Sequence, residues 1–107
     1  MSIHSEISAV NTSASNELAL YQVAKEAISN GVAHSRAENL WLTLDQRHGW
    51  ILMTIRDDGI GFDPLEPKGG HFGIHIMRER VVASGGETYI DSTPGAGCTV
   101  SVRLRDH

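Results

Sequence analysis

Apolar and polar positions change period along this chain, and each change marks an element. From about Glu17 to His34, Leu20, Ala24, Ala27, Ile28 and Gly31 recur at helical spacing and predict a helix with one buried stripe. Ser13, Ser15 and Asn16 precede it and offer N-caps. Leu40 to Leu44 and Trp50 to Ile55 are apolar, β-branched runs, read as two strands joined by a hairpin loop over 45–49. Residues 63–70 hold Pro64, Pro67, Gly69 and Gly70 and read as a loop. A second helix is expected from Gly73 to Ser84, stopped by Gly85-Gly86. Thr88 to Asp91 and Thr99 to Leu104 are the last strands, with a turn over 93–97, and Ile7 to Val10 reads as a short first strand. The pattern is one α/β domain over 1–107, with 1–15 as a partial first strand or the edge of the expressed piece.

Composition narrows the functions. Nine Lys plus Arg against 13 Asp plus Glu give a net charge of −4, and no basic run appears, which argues against nucleic acid as a partner. Cys98 is the single cysteine, so no internal disulfide forms and a reducing, cytoplasmic setting fits. No apolar run has the length of a membrane span, so no direct membrane contact is expected and any anchor of a parent protein lies outside this chain.

The densest chemistry follows the second strand, in Arg56-Asp57-Asp58-Gly59-Ile60-Gly61-Phe62. An acid ends a strand, and two glycines follow at alternate positions, where backbone can turn and a flat ligand can come close. A carboxylate only accepts hydrogen bonds, so it suits an exocyclic amine such as that of adenine. Asp-Gly is equally a hairpin signal, and a plain turn is the alternative. On the first helix, Glu26, Asn30 and His34 are spaced by four and share a face. Such a row is ordinarily a solvated surface. It can also place an amide oxygen on Mg²⁺ and a carboxylate near a transferring phosphate. Gly69-Gly70-His71-Phe72-Gly73 opens the second helix, a junction able to hold an anion or simply to connect. His71 and His75 lack the glutamate and third ligand of a zinc site.

Taken together these segments resemble the catalytic and ATP-binding domain of sensor histidine kinases. Glu26-Ala27-Ile28-Ser29-Asn30 is similar to its N box, Asp57 to Phe62 to its first glycine box, and Gly70 to Ile74 with Met77-Arg78-Glu79-Arg80 to its second. Gly85-Gly86 and Pro94 to Val100 resemble its closing strands, so the likeness runs from about Leu18 to Leu104. The run from Gly70-His71-Phe72-Gly73 to Met77-Arg78-Glu79-Arg80 resembles that of the nitrate/nitrite-sensor branch. The resemblance implies the Bergerat fold, a two-layer α/β (α+β) sandwich of a mixed, mostly antiparallel sheet on about three helices, with a short ATP lid at 63–69. It also implies ATP and Mg²⁺ as ligands, a histidine-bearing dimerisation domain as phosphoacceptor, and a response regulator downstream. Residue by residue, Asp57 would bind the adenine amine, and Gly59 and Gly61 would admit the base. Asn30 would hold Mg²⁺, and Glu26 would act near the γ-phosphate. Gly70, His71 and Gly73 would border the nucleotide's phosphates, Cys98 and Thr99 would lie near the adenine edge, and His34 would join the nucleotide-binding residues. Two positions depart from the family: Cys98 replaces the usual threonine, and Ala33 stands where lysine is common.

In this branch the phosphoacceptor histidine is followed by an acid. His4, His34, His48, His71 and His75 are followed by Ser, Ser, Gly, Phe and Ile, and His107 is last, so none fits. The expectation is the ATP-handling half of a histidine kinase. The alternatives are a stand-alone serine kinase of the anti-sigma-factor type and a non-catalytic nucleotide-sensing module.

Overall fold

The computed structural model describes residues 2–33, 37–59, 72–92, 95 and 97–106. Among them the elements run β1 (Ser2–Ile7), α1 (Ala14–Ala33), β2 (Asn39–Arg47), β3 (Trp50–Asp57), α2 (Phe72–Ala83), β4 (Glu87–Ser92) and β5 (Cys98–Arg105).

The apolar runs at Leu40 and Trp50 form an antiparallel pair that is longer than the sequence pattern predicts. The polar residues 45–47 extend β2, and only His48 and Gly49 turn, with φ of 52° and 81°. Positive φ at both central residues is the two-residue turn whose twist matches a hairpin. Polar Gln46 belongs to the strand because it is tied on both sides: it accepts from the Asn11 N–H at 2.9 Å, and its amide donates to the Asp106 carboxylate at 2.9 Å. The first strand also sits earlier than expected. Ser2–Ile7 rather than 7–10 pairs in parallel with β2, from Ser2 opposite Asn39 to Ile7 opposite Leu44. The sheet order is β1-β2-β3-β5-β4, mixed through β1 and otherwise antiparallel, as the Bergerat expectation requires.

One face of this sheet is apolar by strict alternation. Ile51, Met53 and Ile55 on β3 and Val100, Val102 and Leu104 on β5 are buried, as is Leu40 on β2. Ala19, Leu20, Val23 and Ala27 of α1 close on that face, with α2 beside α1 and over β4 through Val81. Fully burying one such aliphatic side chain contributes about 1.5–3 kcal/mol. Helices and sheet thus form two layers with a single core between them. Two helices fall among the described residues, against the three or so expected.

The helix ends explain their own positions. Ser13 caps α1, its hydroxyl accepting from the Asn16 N–H at 3.1 Å. The Asn16 amide, buried, donates to the Arg105 carbonyl at 2.6 Å and so fixes the helix start to β5. At the end of α2, the Gly86 N–H donates to the Val81 carbonyl and the Gly85 N–H to the Val82 carbonyl, both at 2.9 Å. With Gly85 at φ 80° this is a Schellman motif. Gly86 has a different reason to be glycine: a Cβ there would lie 2.3 Å from Leu104 Cδ2.

Candidate functional site

The end of β3 separates two neighbouring carboxylates into two jobs. Successive strand residues alternate faces, so Asp57 follows Ile55 onto the helix-facing side. It is half-buried, between Leu40 on β2 and Cys98 on β5. Its Oδ1 accepts from the Gly59 N–H at 2.9 Å, and no donor among the described residues reaches the second oxygen. One oxygen orients the group and the other is left to accept.

Asp58 is turned to the chain instead. Its Oδ1 accepts from the backbone N–H groups of Glu38 and Asn39, each at 2.9 Å, and its Oδ2 from the Asn39 side-chain amide at 2.9 Å. The Asn39 amide, first among these donors, holds the Asp58 carboxyl below its usual range. Asp58 is a fastener for the start of β2, a part the sequence did not signal.

Gly97 completes the Asp57 end. Its φ is 81°, and a Cβ on it would sit 2.3 Å from the Asp57 carbonyl oxygen. Only a residue without a side chain lets the β4–β5 turn lie against the end of β3. The Ser92 hydroxyl donates to the Gly97 carbonyl at 3.2 Å and steadies that approach. The sequence pattern treats Gly97 as one turn residue among several. Its pairing of two glycines around Ala96, directly before a strand, was the available signal.

Cys98 lies on the same face as Asp57 and is buried. Burial, the largest cause, pushes its thiol up to about 11; a hydrogen bond with Ser92 opposes this, and the charges of Asp57 and Asp91 add to it. Thr99, expected beside it at the adenine edge, takes the opposite face because adjacent strand residues alternate. There it lines a cavity of about 380 Å³ with Trp41, Arg56, Asp57, Asp58, Asp91 and Gly97. Asp57 and Gly97 line that recess too, so it adjoins the end of β3 where Asp57 stands.

Glu26 is half-buried on α1, and Asn30 follows four residues later on the same helix, which packs on β3 and β5 in the layer that Asp57 faces. Gly73 falls in the first turn of α2. His34, Gly61, Gly70 and His71, and the expected lid at 63–69, lie outside the described residues. The structure thus brings together Asp57, Gly59, Gly97 and Cys98 at one end of the sheet. Among the described residues no helix is long and apolar enough to cross a membrane.

Comparison with known proteins agrees with this architecture. Residues 15–107 match the family described as histidine kinase-, DNA gyrase B-, and HSP90-like ATPase. The chain is 32% identical over 103 residues to an uncharacterized sensor-like histidine kinase of Chloroflexus aurantiacus, covering 91% of this chain and 17% of that protein. It is 34% identical over 91 residues to the histidine-protein kinase/phosphatase DegS of Bacillus subtilis, covering 82% of this chain and 24% of DegS. To the nitrate/nitrite sensor NarQ of Escherichia coli it is 36% identical over 88 residues, covering 80% and 15%. The chain therefore spans about a quarter or less of the length of these relatives. In fold it is similar to the histidine kinase domain of the Erythrobacter litoralis EL346 blue-light activated kinase, with a TM-score of 0.83 at 19% identity, covering 98% of this chain and 51% of that one. Full-length ShkA in complex with AMPPNP gives a TM-score of 0.76 at 21% identity, covering 96% and 25%.

Proposed function

We propose that this chain, which belongs to the histidine kinase-, DNA gyrase B- and HSP90-like ATPase family, is the ATP-binding catalytic domain of a two-component sensor histidine kinase. It serves to transfer the γ-phosphate of ATP to a histidine on a separate dimerisation domain, from which a response regulator is served. A cytoplasmic position in the parent protein follows from that partnership.

The observation that carries this reading is Asp57. Its carboxylate stands at the end of β3 with one oxygen held by the Gly59 N–H. The other oxygen accepts the adenine amine, and a guanine carbonyl at the same place would meet it lone pair to lone pair. Gly59 and Gly97 keep side chains away from that end of the sheet. The solved ShkA structure with AMPPNP shows a protein of this fold holding an ATP analogue.

The donor set fits a hard cation. Asn30 offers an amide oxygen and Glu26 a carboxylate one helical turn away, the oxygen chemistry that Mg²⁺ prefers, with waters and phosphates filling the rest of its shell. Asn30 would hold the ion, which supplies neutralisation of charge on the transferring phosphoryl group. Glu26 orients the attacking group or accepts its proton. Gly73, in the first turn of α2, would offer backbone N–H to the phosphates at the positive end of the helix dipole; Gly70 and His71, outside the described residues, are joined to it by the family resemblance alone.

Calorimetric titration tests the assignment. The chain is expected to bind ATP in preference to GTP, and Asp57→Asn to lose ATP binding while its thermal unfolding stays close to that of the parent. Equal affinity for the two nucleotides refutes the adenine contact. The isolated chain is expected not to label itself, but to label a supplied dimerisation-helix domain.

A further inference from the structure

The strand order leaves one edge of the sheet open at β1. This strand is terminal on the β2 side, and all six of its residues are exposed. Natural sheet edges are commonly blunted by proline, lysine or a bulge. Ser2–Ile7 holds neither proline nor lysine and pairs with β2 in unbroken register. Its hydrogen-bonding phase is fixed as well. The Ser2 N–H donates to the Glu38 carbonyl at 2.8 Å, and the Ser8 N–H to the Leu44 carbonyl at 2.9 Å. Alternate residues of a parallel ladder turn their backbone groups to the same neighbour, so those of Ser2, His4, Glu6 and Ser8 serve β2. The N–H and C=O groups of Ile3, Ser5 and Ile7 point to the open edge.

Side chains follow the same alternation. Ile3 and Ile7 pair with Leu40 and Leu44, on the helix side of the sheet, and are 58% and 59% exposed. His4 and Glu6 take the other face. His4 stacks on Trp41 with ring centres 5.6 Å apart, and its Nε2 meets the Asn39 Oδ1 at 3.1 Å. That oxygen only accepts, so Nε2 donates, and the other ring nitrogen is left for a second partner.

We infer that β1 docks a second copy of this chain, the two β1 strands running antiparallel about a two-fold axis at Ser5. Outward-facing backbone must meet outward-facing backbone, so Ile3, Ser5 and Ile7 of one copy pair only among the same three of the other. Centred on Ser5, Ile3 faces Ile7 of the second copy, Ser5 faces Ser5, and Ile7 faces Ile3. Between these hydrogen-bonded pairs, His4 faces Glu6 of the second copy at both symmetric positions, where cross-strand side chains come closest. Apolar thus meets apolar on the helix side, and an imidazole able to take a proton meets a carboxylate on the other. Centring on His4 instead would set Ile3 against Ser5 and His4 against His4. The opposite edge, β4, lacks this match: paired about Tyr89, it would set Glu87 against Asp91 of the second copy, like charge against like.

Sedimentation velocity of the full chain at about pH 6, where a free imidazole is largely charged, tests this. The contact is one short strand and each copy carries a net charge of −4, so a dimer is expected at ~0.1 mM chain rather than at nanomolar concentration. Glu6→Lys sets lysine against His4, and His4→Glu sets glutamate against Glu6, so each variant alone is expected to associate at least about tenfold more weakly. An equimolar mixture of the two is expected to recover the dimer, because opposite charges then meet at both positions. Damage to the fold of either variant does not produce that recovery. Ser5→Pro removes an outward N–H and leaves the β2 ladder intact, so it is expected to abolish the dimer with thermal unfolding close to that of the parent. Should Ser5→Pro lose its cooperative unfolding, the mixture is read instead. A parent chain that stays monomeric, a mixture that fails to recover the dimer, or single variants that associate like the parent overturns the inference.

Discussion

Replacing Gly97 by alanine puts a methyl group 2.3 Å from the carbonyl oxygen of Asp57. Ordinary contact begins at 3.4 Å, so the turn and the end of β3 must separate by about 1 Å. The φ of 81° adds a second cost, since an L residue in left-handed backbone is disfavoured by roughly 1–2 kcal/mol. Overpacking against backbone that cannot rotate away costs a further ~1–3 kcal/mol. The sum is about 2–5 kcal/mol, which in a domain of this size lowers the unfolding midpoint by some ~10–30 °C. Gly95 supplies the control. Its φ is 84°, but a Cβ there has nothing within 4 Å, so Gly95→Ala bears only the backbone cost. Thermal unfolding followed by circular dichroism gives the stabilities, and ATP titration at a temperature where both variants are folded gives the affinities. Gly97→Ala is expected to be the less stable and to lose ATP affinity, because the backbone that displaces is the one carrying Asp57. Equal stabilities, or a destabilised Gly97→Ala with parental ATP affinity, would refute the claim that this glycine positions the carboxylate.

Other perturbations separate neighbouring roles. The folded-state pKa of Asp58 is lowered, so its contribution to stability is present above the unfolded carboxylate value and is lost as pH falls below about 4. Asp58→Asn is therefore expected to show a shallower acid unfolding profile than the parent, with ATP binding retained at neutral pH. The raised Cys98 pKa has the opposite sign. Stability is intact below the unfolded thiol value of 9.0 and falls as pH rises through about 11, and Cys98→Ala is expected to remove that alkaline slope. For the same reason the native thiol should react with a disulfide reagent near pH 8 far more slowly than the urea-unfolded one. Gly86→Ala, whose Cβ would meet Leu104 Cδ2 and the Arg103 carbonyl, is expected to cost ~1–3 kcal/mol in urea unfolding and to leave nucleotide affinity alone.

What the chain declared in advance followed from how each element is held. α1, β3, β5 and the α2 stop carry apolar periodicity or glycine chemistry, and both are written in residue types. β1 carries neither. Its six residues are exposed and its place depends on backbone pairing with β2, so no apolar signal marked it. The 45–47 stretch looked like loop because its residues are polar, and it is strand because distant groups on Asn11 and Asp106 hold Gln46. At the end of β3, the place of Asp57 just before Gly59 was legible from the strand pattern and the glycine that follows. Cys98 and Thr99 stand on opposite faces of β5 because strand residues alternate, a separation the sequence reading of an adenine edge did not draw. Asp58 and Gly97 act through partners at Asn39 and Asp57, far away or across a turn, and such pairings are invisible until the strands are laid side by side.

The strand order also bears on how such a domain is made. β5 follows every other described element in chain order, yet it lies inside the sheet, between β3 and β4. Its residues Val100, Val102 and Leu104 fill the core, and the Arg105 and Asp106 carbonyls accept from Asn16 and Thr12 at the other end of the chain. A nascent chain lacking this strand has β3 exposed along one edge and an α1 whose start has no anchor. Folding of this sheet is thus deferred until β5 has emerged from the ribosome, and until then the open edge of β3 is the segment a chaperone would have most reason to shield.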